Sequence, residues 1–131
     1  MFDFFRKKKR ELPPFNDLQV SPLKDKYFAR TCPWDWLTPD MIHVYDMHAP
    51  RIITMDPWPQ TIYLSADGEQ TVSDFVYYIA SQYGKREVVP DALDKSILES
   101  LQGLLDDKLI ELSNDEIILP ERLAVPLKEV K

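Results

Sequence analysis

Two runs with helical period, Thr71 to Tyr83 and Asp91 to Lys108, constrain this chain more than anything else in it. In the first, Val72, Phe75, Val76, Ile79 and Tyr83 fall on one face at about 100° per residue. In the second, Leu93, Ile97, Leu98, Leu101, Leu104 and Leu105 span an arc of roughly 140°, wider than the stripe of about 100° that covers a core. The surplus lies on the Leu98/Leu105 flank, next to Gln102, and predicts contact with N-terminal strands or with a partner. The pattern lasts barely two heptads, too short for a zipper. Both faces must be buried somewhere, so the rest of the chain has to supply what covers them.

The residues before and between these runs read as punctuation. Asp56-Pro57 predicts an N-cap and first helical residue, with a short helix to about Ala66 that turns Trp58 and Ile62 to one side. Asp67-Gly68 reads as the tight turn that ends it, and Thr71 with Asp74 as a capping-box start for the next helix. Gly84 sits where that helix should stop. Tyr77 and Tyr78 fall off the buried face, so at least one is expected in solvent. After the third helix, Leu109–Leu112 and Glu116–Leu119 flank Ser113-Asn114-Asp115, which predicts a C-terminal β-hairpin stopped by Pro120.

The first half is less patterned. Pro13, Pro14, Pro22, Pro33 and Pro39 argue against a long helix, and residues 1–23 read as a flexible basic and proline-rich segment. Arg6 to Arg10, beside Phe2, Phe4 and Phe5, is better explained as a solvated terminus than as a membrane-surface contact. Residues 24–31, 41–46 and 51–55 are strand candidates, the last two joined by a loop at 47–50. Trp34 and Trp36 make an aromatic knot, expected to pack over a core edge. Residues 24–119 read as one domain, followed by a tail at 120–131 that lies along the body or frays.

Chemistry is sparse. The single cysteine, Cys32, allows no internal disulfide and fits a reducing compartment, and no apolar run approaches a membrane span, so the expected location is cytoplasmic. There is no Gly-rich phosphate loop, nucleophile elbow or paired-histidine metal motif. Cys32 with His43 or His48 is the one conceivable nucleophile and base, and the spacing supports neither that nor a metal site. The reading is therefore a protein without catalytic residues, metal or cofactor.

Three helices followed by a hairpin is the order of a winged helix-turn-helix, which ordinarily suggests DNA. Charge opposes that. Between Asp56 and Leu119 there are thirteen acidic and four basic side chains, and the third helix alone carries Asp91, Asp94, Glu99, Asp106 and Asp107 against Lys95 and Lys108. A phosphate backbone is bound by clustered cations, so nucleic acid is an unlikely partner.

The run Ile62-Tyr-Leu-Ser-Ala-Asp67-Gly68-Glu-Gln-Thr71-Val72-Ser-Asp74-Phe75 resembles the PqqD-like proteins, with Tyr83 and the Leu101/Leu104 pair fitting as well. The resemblance covers about residues 52–112. It implies an α+β fold, with a winged helix-turn-helix-like core of three helices and a small N-terminal antiparallel sheet, to which this chain adds the C-terminal hairpin. Strands 24–31, 41–46 and 51–55 would supply that sheet. It also implies a non-catalytic module that binds precursor peptides by adding a strand to the sheet edge beside the third helix. The residues expected to line that groove are Ile52, Ile53, Thr54, Leu98, Gln102 and Leu105. The expected partners are a precursor peptide and its modifying enzyme. The alternative is a scaffold or assembly subunit that docks through its aromatic N-terminal half, on a larger protein or as a homodimer.

Overall fold

The structure, a computed structural model, describes residues 12–131; the Arg6–Arg10 cluster and its neighbouring phenylalanines lie outside them. The fold is α+β, with five helices and two antiparallel three-stranded sheets among the described residues. In chain order the elements are α1 (Asn16–Val20), β1 (Tyr27–Arg30), β2 (Trp34–Thr38), β3 (Met41–Asp46), β4 (Arg51–Thr54) and α2 (Pro57–Ser65). They continue with β5 (Asp67–Thr71), α3 (Val72–Ser81), α4 (Leu93–Asp106), β6 (Ile110–Ser113), α5 (Glu121–Ala124) and a 3₁₀ turn at Leu127–Glu129. One sheet has the order β5-β1-β6 and the other β2-β3-β4.

The helices lie where the apolar period and the caps place them. In α3, Thr71 Oγ1 accepts the Asp74 N–H at 3.1 Å and Asp74 Oδ2 accepts the Thr71 N–H at 3.0 Å, a closed capping box. Val72, Phe75 and Val76 are fully buried, whereas Tyr77 and Tyr78 are both exposed. Helix α4 buries Leu93, Ile97, Leu101 and Leu104. It ends in a Schellman motif: the Lys108 N–H reaches Leu105 O at 3.0 Å and the Leu109 N–H reaches Leu104 O at 2.9 Å. Lys108 occupies the left-handed position of that motif, φ 62, where glycine is usual.

The strands depart from the sequence reading in three places. Asp67–Thr71 is not a turn but strand β5, paired with β1. Tyr27 faces Thr71 and Ala29 faces Asp67, so residues 68–70 bulge opposite Phe28. Gly68 has φ +82, and a β-carbon there would stand 2.3 Å from the Ile117 carbonyl oxygen. The left-handed backbone signalled by Asp-Gly is real; a bulge satisfies it as well as a turn does, and the distant strand β1 decides between them.

The C-terminal hairpin does not form. Its expected first strand exists as β6, yet β6 pairs with β1 from Tyr27↔Ser113 to Arg30↔Ile110. Residues 116–119 stay outside any strand, tied to the bulge by the Ile117 N–H on Gly68 O at 2.9 Å. The expected N-terminal sheet is also regrouped. Residues 27–30 belong to the β5-β1-β6 sheet, and Trp34–Thr38, read as an aromatic knot, takes the vacant place as β2. The β3–β4 hairpin around 47–50 forms as expected, from His43↔Thr54 to Asp46↔Arg51.

The packed body is wider than residues 24–119. Phe15 and Leu18 are core residues, and Asp94 Oδ2 from α4 accepts the Leu18 N–H at 2.9 Å in the first turn of α1. Residues 15–20 are therefore held by the body and are not part of a flexible arm. At the other end, Leu123 is buried and α5 is held by Arg30. The Arg30 guanidinium donates to Tyr63 O (3.2 Å) and Leu64 O (3.1 Å) at the carbonyl end of α2, and to Ala124 O (2.9 Å) in α5. It also lies 5.4 Å from the Trp34 ring centre, and Trp34 Nε1 donates to Leu123 O at 3.1 Å. Burial lowers the Arg30 pKa from the ordinary arginine value, opposed by Tyr63 and Asp67. One arginine thus joins a strand, a helix end and the C-terminal segment.

Candidate functional site

The candidate site begins with the parity of hydrogen bonding across the β2-β3-β4 sheet. The Tyr45 N–H points to β2, donating to Pro33 O at 2.9 Å. Backbone groups alternate sides along a strand, so Ile42, Val44 and Asp46 direct theirs toward β4. Ile42 agrees: it lies beyond the end of β4, and its N–H is taken by Gln60 Oε1 at 3.0 Å. Arg51 and Ile53, opposite Asp46 and Val44, therefore spend their groups on β3. Ile52 and Thr54 turn theirs to the open edge, where among the described residues no hydrogen bond reaches them.

The end of that strand, at Ile53 and Thr54, faces α4. A cleft of about 300 Å³ lies between them, lined on one side by Ile53, Thr54, Met55, Asp56 and Pro59. Its other wall is Ser100, Gly103, Leu104 and Asp107 of α4, with Leu109 at the end. Small residues at 100 and 103 make the helix wall shallow, and the space above Gly103 is open for 4 Å around the position of a β-carbon. The charged side chains of the lining are the carboxylates of Asp56 and Asp107, both exposed.

Of the residues expected to form the groove, the structure brings Ile53 and Thr54 to the cleft. Ile52 is adjacent and 61% exposed, on the outer face of the sheet opposite Tyr45. Leu98, Gln102 and Leu105 are elsewhere. At about 100° per residue they point roughly opposite to the Ser100/Gly103/Leu104/Asp107 wall. Leu98 and Leu105 pack partly buried against the core, and Gln102 Nε2 donates to Asp106 Oδ1 at 2.8 Å in solvent. The wide apolar arc of α4 is thus consumed by the body, whose α1 and α3 both pack on this helix. The legible signal for the cleft wall was a different one: glycine at 103 inside a helix, with serine one turn before it.

The titratable groups noted in the sequence sit in three different surroundings. Cys32 is fully buried, its N–H donated to the Tyr63 hydroxyl at 3.2 Å and its carbonyl accepting that hydroxyl at 2.6 Å. Burial, and after it Cys32, pushes the Tyr63 hydroxyl well above the ordinary phenol range. His43 stacks on Tyr45 on the sheet's outer face, Nε2 to hydroxyl 3.2 Å. His48 contributes its backbone N–H to Asp46 Oδ1 at 2.9 Å in the β3–β4 turn. The Arg51 side-chain N–H on Asp46 Oδ2, first, and the His48 N–H hold the Asp46 carboxyl below its ordinary value. Among the described residues no group of three or more His, Cys, Asp or Glu is placed to hold a metal ion. A second hollow, about 320 Å³, lies beside Arg30 and is walled by Asp67, Glu69 and Glu116, but its arginine is committed to backbone carbonyls.

Comparison with protein-family models, curated proteins and solved structures finds no match. Among the described residues no helix is long and apolar enough to cross a membrane.

Proposed function

We propose that this protein is a non-catalytic peptide-binding module that takes an extended segment as a fourth strand on β4, beside α4. The observation that carries the reading is the outward N–H and C=O of Ile52 and Thr54 on a sheet edge that opens onto a cleft. Unpaired edge groups are a template for another strand, and proteins normally blunt such an edge. Here the edge lies against a partly apolar trough, where side chains of an added strand find Ile53, Met55, Leu104 and Leu109. The resemblance of residues 62–75 to PqqD-like proteins supports the same mode and suggests a precursor peptide, held for a modifying enzyme, as the occupant.

The test is a selection of random twelve-residue peptides displayed on phage against the intact chain, followed by amide NMR with the selected peptides. Shifts are expected at 52–56 and 100–107. Thr54→Pro removes only an outward donor and spares the ladder to β3, so it should weaken binding by about tenfold, the worth of one backbone hydrogen bond. Selected peptides that leave those amides unmoved, or that bind Thr54→Pro equally well, would sink the proposal.

One observation favours a second reading, a scaffold subunit. The outer face of the same sheet leaves Met41 40% and Ile52 61% exposed beside the His43–Tyr45 stack. A flat apolar face of this kind fits a larger protein or a second copy. Light scattering that returns a dimer, broken by Ile52→Asp, would favour it over the cleft.

A further inference from the structure

Resting on the strand-addition reading, we propose that the segment taken by β4 is cationic: an apolar side chain sits over Gly103, and Lys or Arg residues reach Asp56 and Asp107. Glycine is among the poorest residues for a helix interior, and a fold tolerates it there mainly where something must come close. Among the described residues outside the helix's own backbone, nothing comes within 4 Å of the position of a Gly103 β-carbon, so their packing does not require glycine. That open space leaves room for a bound segment, whose apolar side chain would enter between Ile53, Leu104 and Leu109.

The charge of the occupant follows from the two carboxylates. Asp107 is the C-cap of α4, at the end where exposed carbonyls repel an anion and favour a cation, yet the last turn of α4 carries no basic residue. Asp56 is the N-cap of α2, but its side chain makes no capping bond. Neither carboxylate serves the helix it terminates, and both line the cleft, which among the described residues has no cationic side chain in its lining. The run from Asp56 to Leu119, with thirteen acidic against four basic residues, places the cleft in the acidic part of the chain. An acidic segment laid in this cleft would meet repulsion at Asp56 and Asp107, where a basic one meets attraction.

The experiment uses the same displayed library on the intact chain, then synthetic selected peptides in which Lys and Arg are exchanged for Glu. Enrichment of alternating apolar and basic residues is expected, with the Glu versions bound about tenfold more weakly, the size of two rim charge contacts reversed. In the Asp56→Asn/Asp107→Asn double variant that preference should shrink to about threefold or less and lose its salt dependence. Gly103→Leu should fill the trough and abolish binding without lowering the melting temperature, since it exchanges a poor helix former for a good one. Enriched peptides that are neutral or acidic, a preference that survives the double variant, or undiminished binding to Gly103→Leu each overturn the inference. The parent reading is scored separately by Thr54→Pro: if binding is sensitive to that variant but indifferent to charge, strand addition stands and the cationic occupant falls.

Discussion

The two sheets are of equal size and opposite character. In β5-β1-β6 the central strand is buried along Phe28, Ala29 and Arg30, and the bulged strand β5 is met from outside by the 116–119 segment through the Ile117 N–H. Arg30 fastens this sheet to α2 and α5. In β2-β3-β4 the strand β4 has Arg51, Ile52 and Thr54 exposed, and its outward groups face a cleft. Both sheets are fastened to the body, the second through Trp34, Ile42 and Val44 in the core, but among the described residues β4 is bonded on one side only, to β3, and presents a free edge. The proposed binding on β4 rests on that open edge and the cleft beside its end.

If that contrast is right, damage to the first sheet should cost global stability and leave the cleft's chemistry unaltered until the protein unfolds. Arg30→Ala strands several buried carbonyls and should cost about 3–5 kcal/mol by denaturant unfolding. A loss under about 1 kcal/mol would mean that the arginine is not the fastening. Gly68→Ala places a β-carbon against the Ile117 carbonyl at a left-handed residue, and should cost roughly 2–3 kcal/mol. In the opposite direction, Lys108→Gly relieves the left-handed cap that leads α4 into β6, and should stabilise by about 1 kcal/mol in the same assay. The smallest effect belongs to the second sheet. The Asp46 carboxyl is held below its ordinary value, so its contribution is full above a pH of about 4 and is lost as pH falls through the lower folded-state value. Thermal melts of the wild type and Asp46→Asn from pH 7 downward should therefore converge in acid; a gap that widens there would reverse the assignment.

Local signals were legible and pairings were not. Val72, Phe75 and Val76 announce α3, Thr71 and Asp74 announce its cap, and Asp56-Pro57 announces α2, because each is written within a few residues. Asp67-Gly68 announces positive φ but not what uses it, since a turn and a bulge demand the same backbone. Whether β6 folds back on 116–119 or across to β1 depends on residues eighty or more positions away. What covers the wide apolar arc of α4 was illegible for a related reason: α1, which packs on α4, comes from a proline-rich stretch that carries no helical period. Of the candidate site, Ile53 and Thr54 were readable as a strand end, while Gly103 and Ser100 gave a signal only once their neighbours in space were in view.

Amide hydrogen exchange along β4 tests the open edge most directly. In the free protein, the Arg51 and Ile53 amides, bonded to β3, should exchange slowly, and those of Ile52 and Thr54 quickly. With a selected peptide bound, protection should appear at Ile52 and Thr54 while Arg51 and Ile53 stay as they were. A peptide that binds tightly and leaves the exchange of Ile52 and Thr54 unchanged would contradict strand addition on this edge.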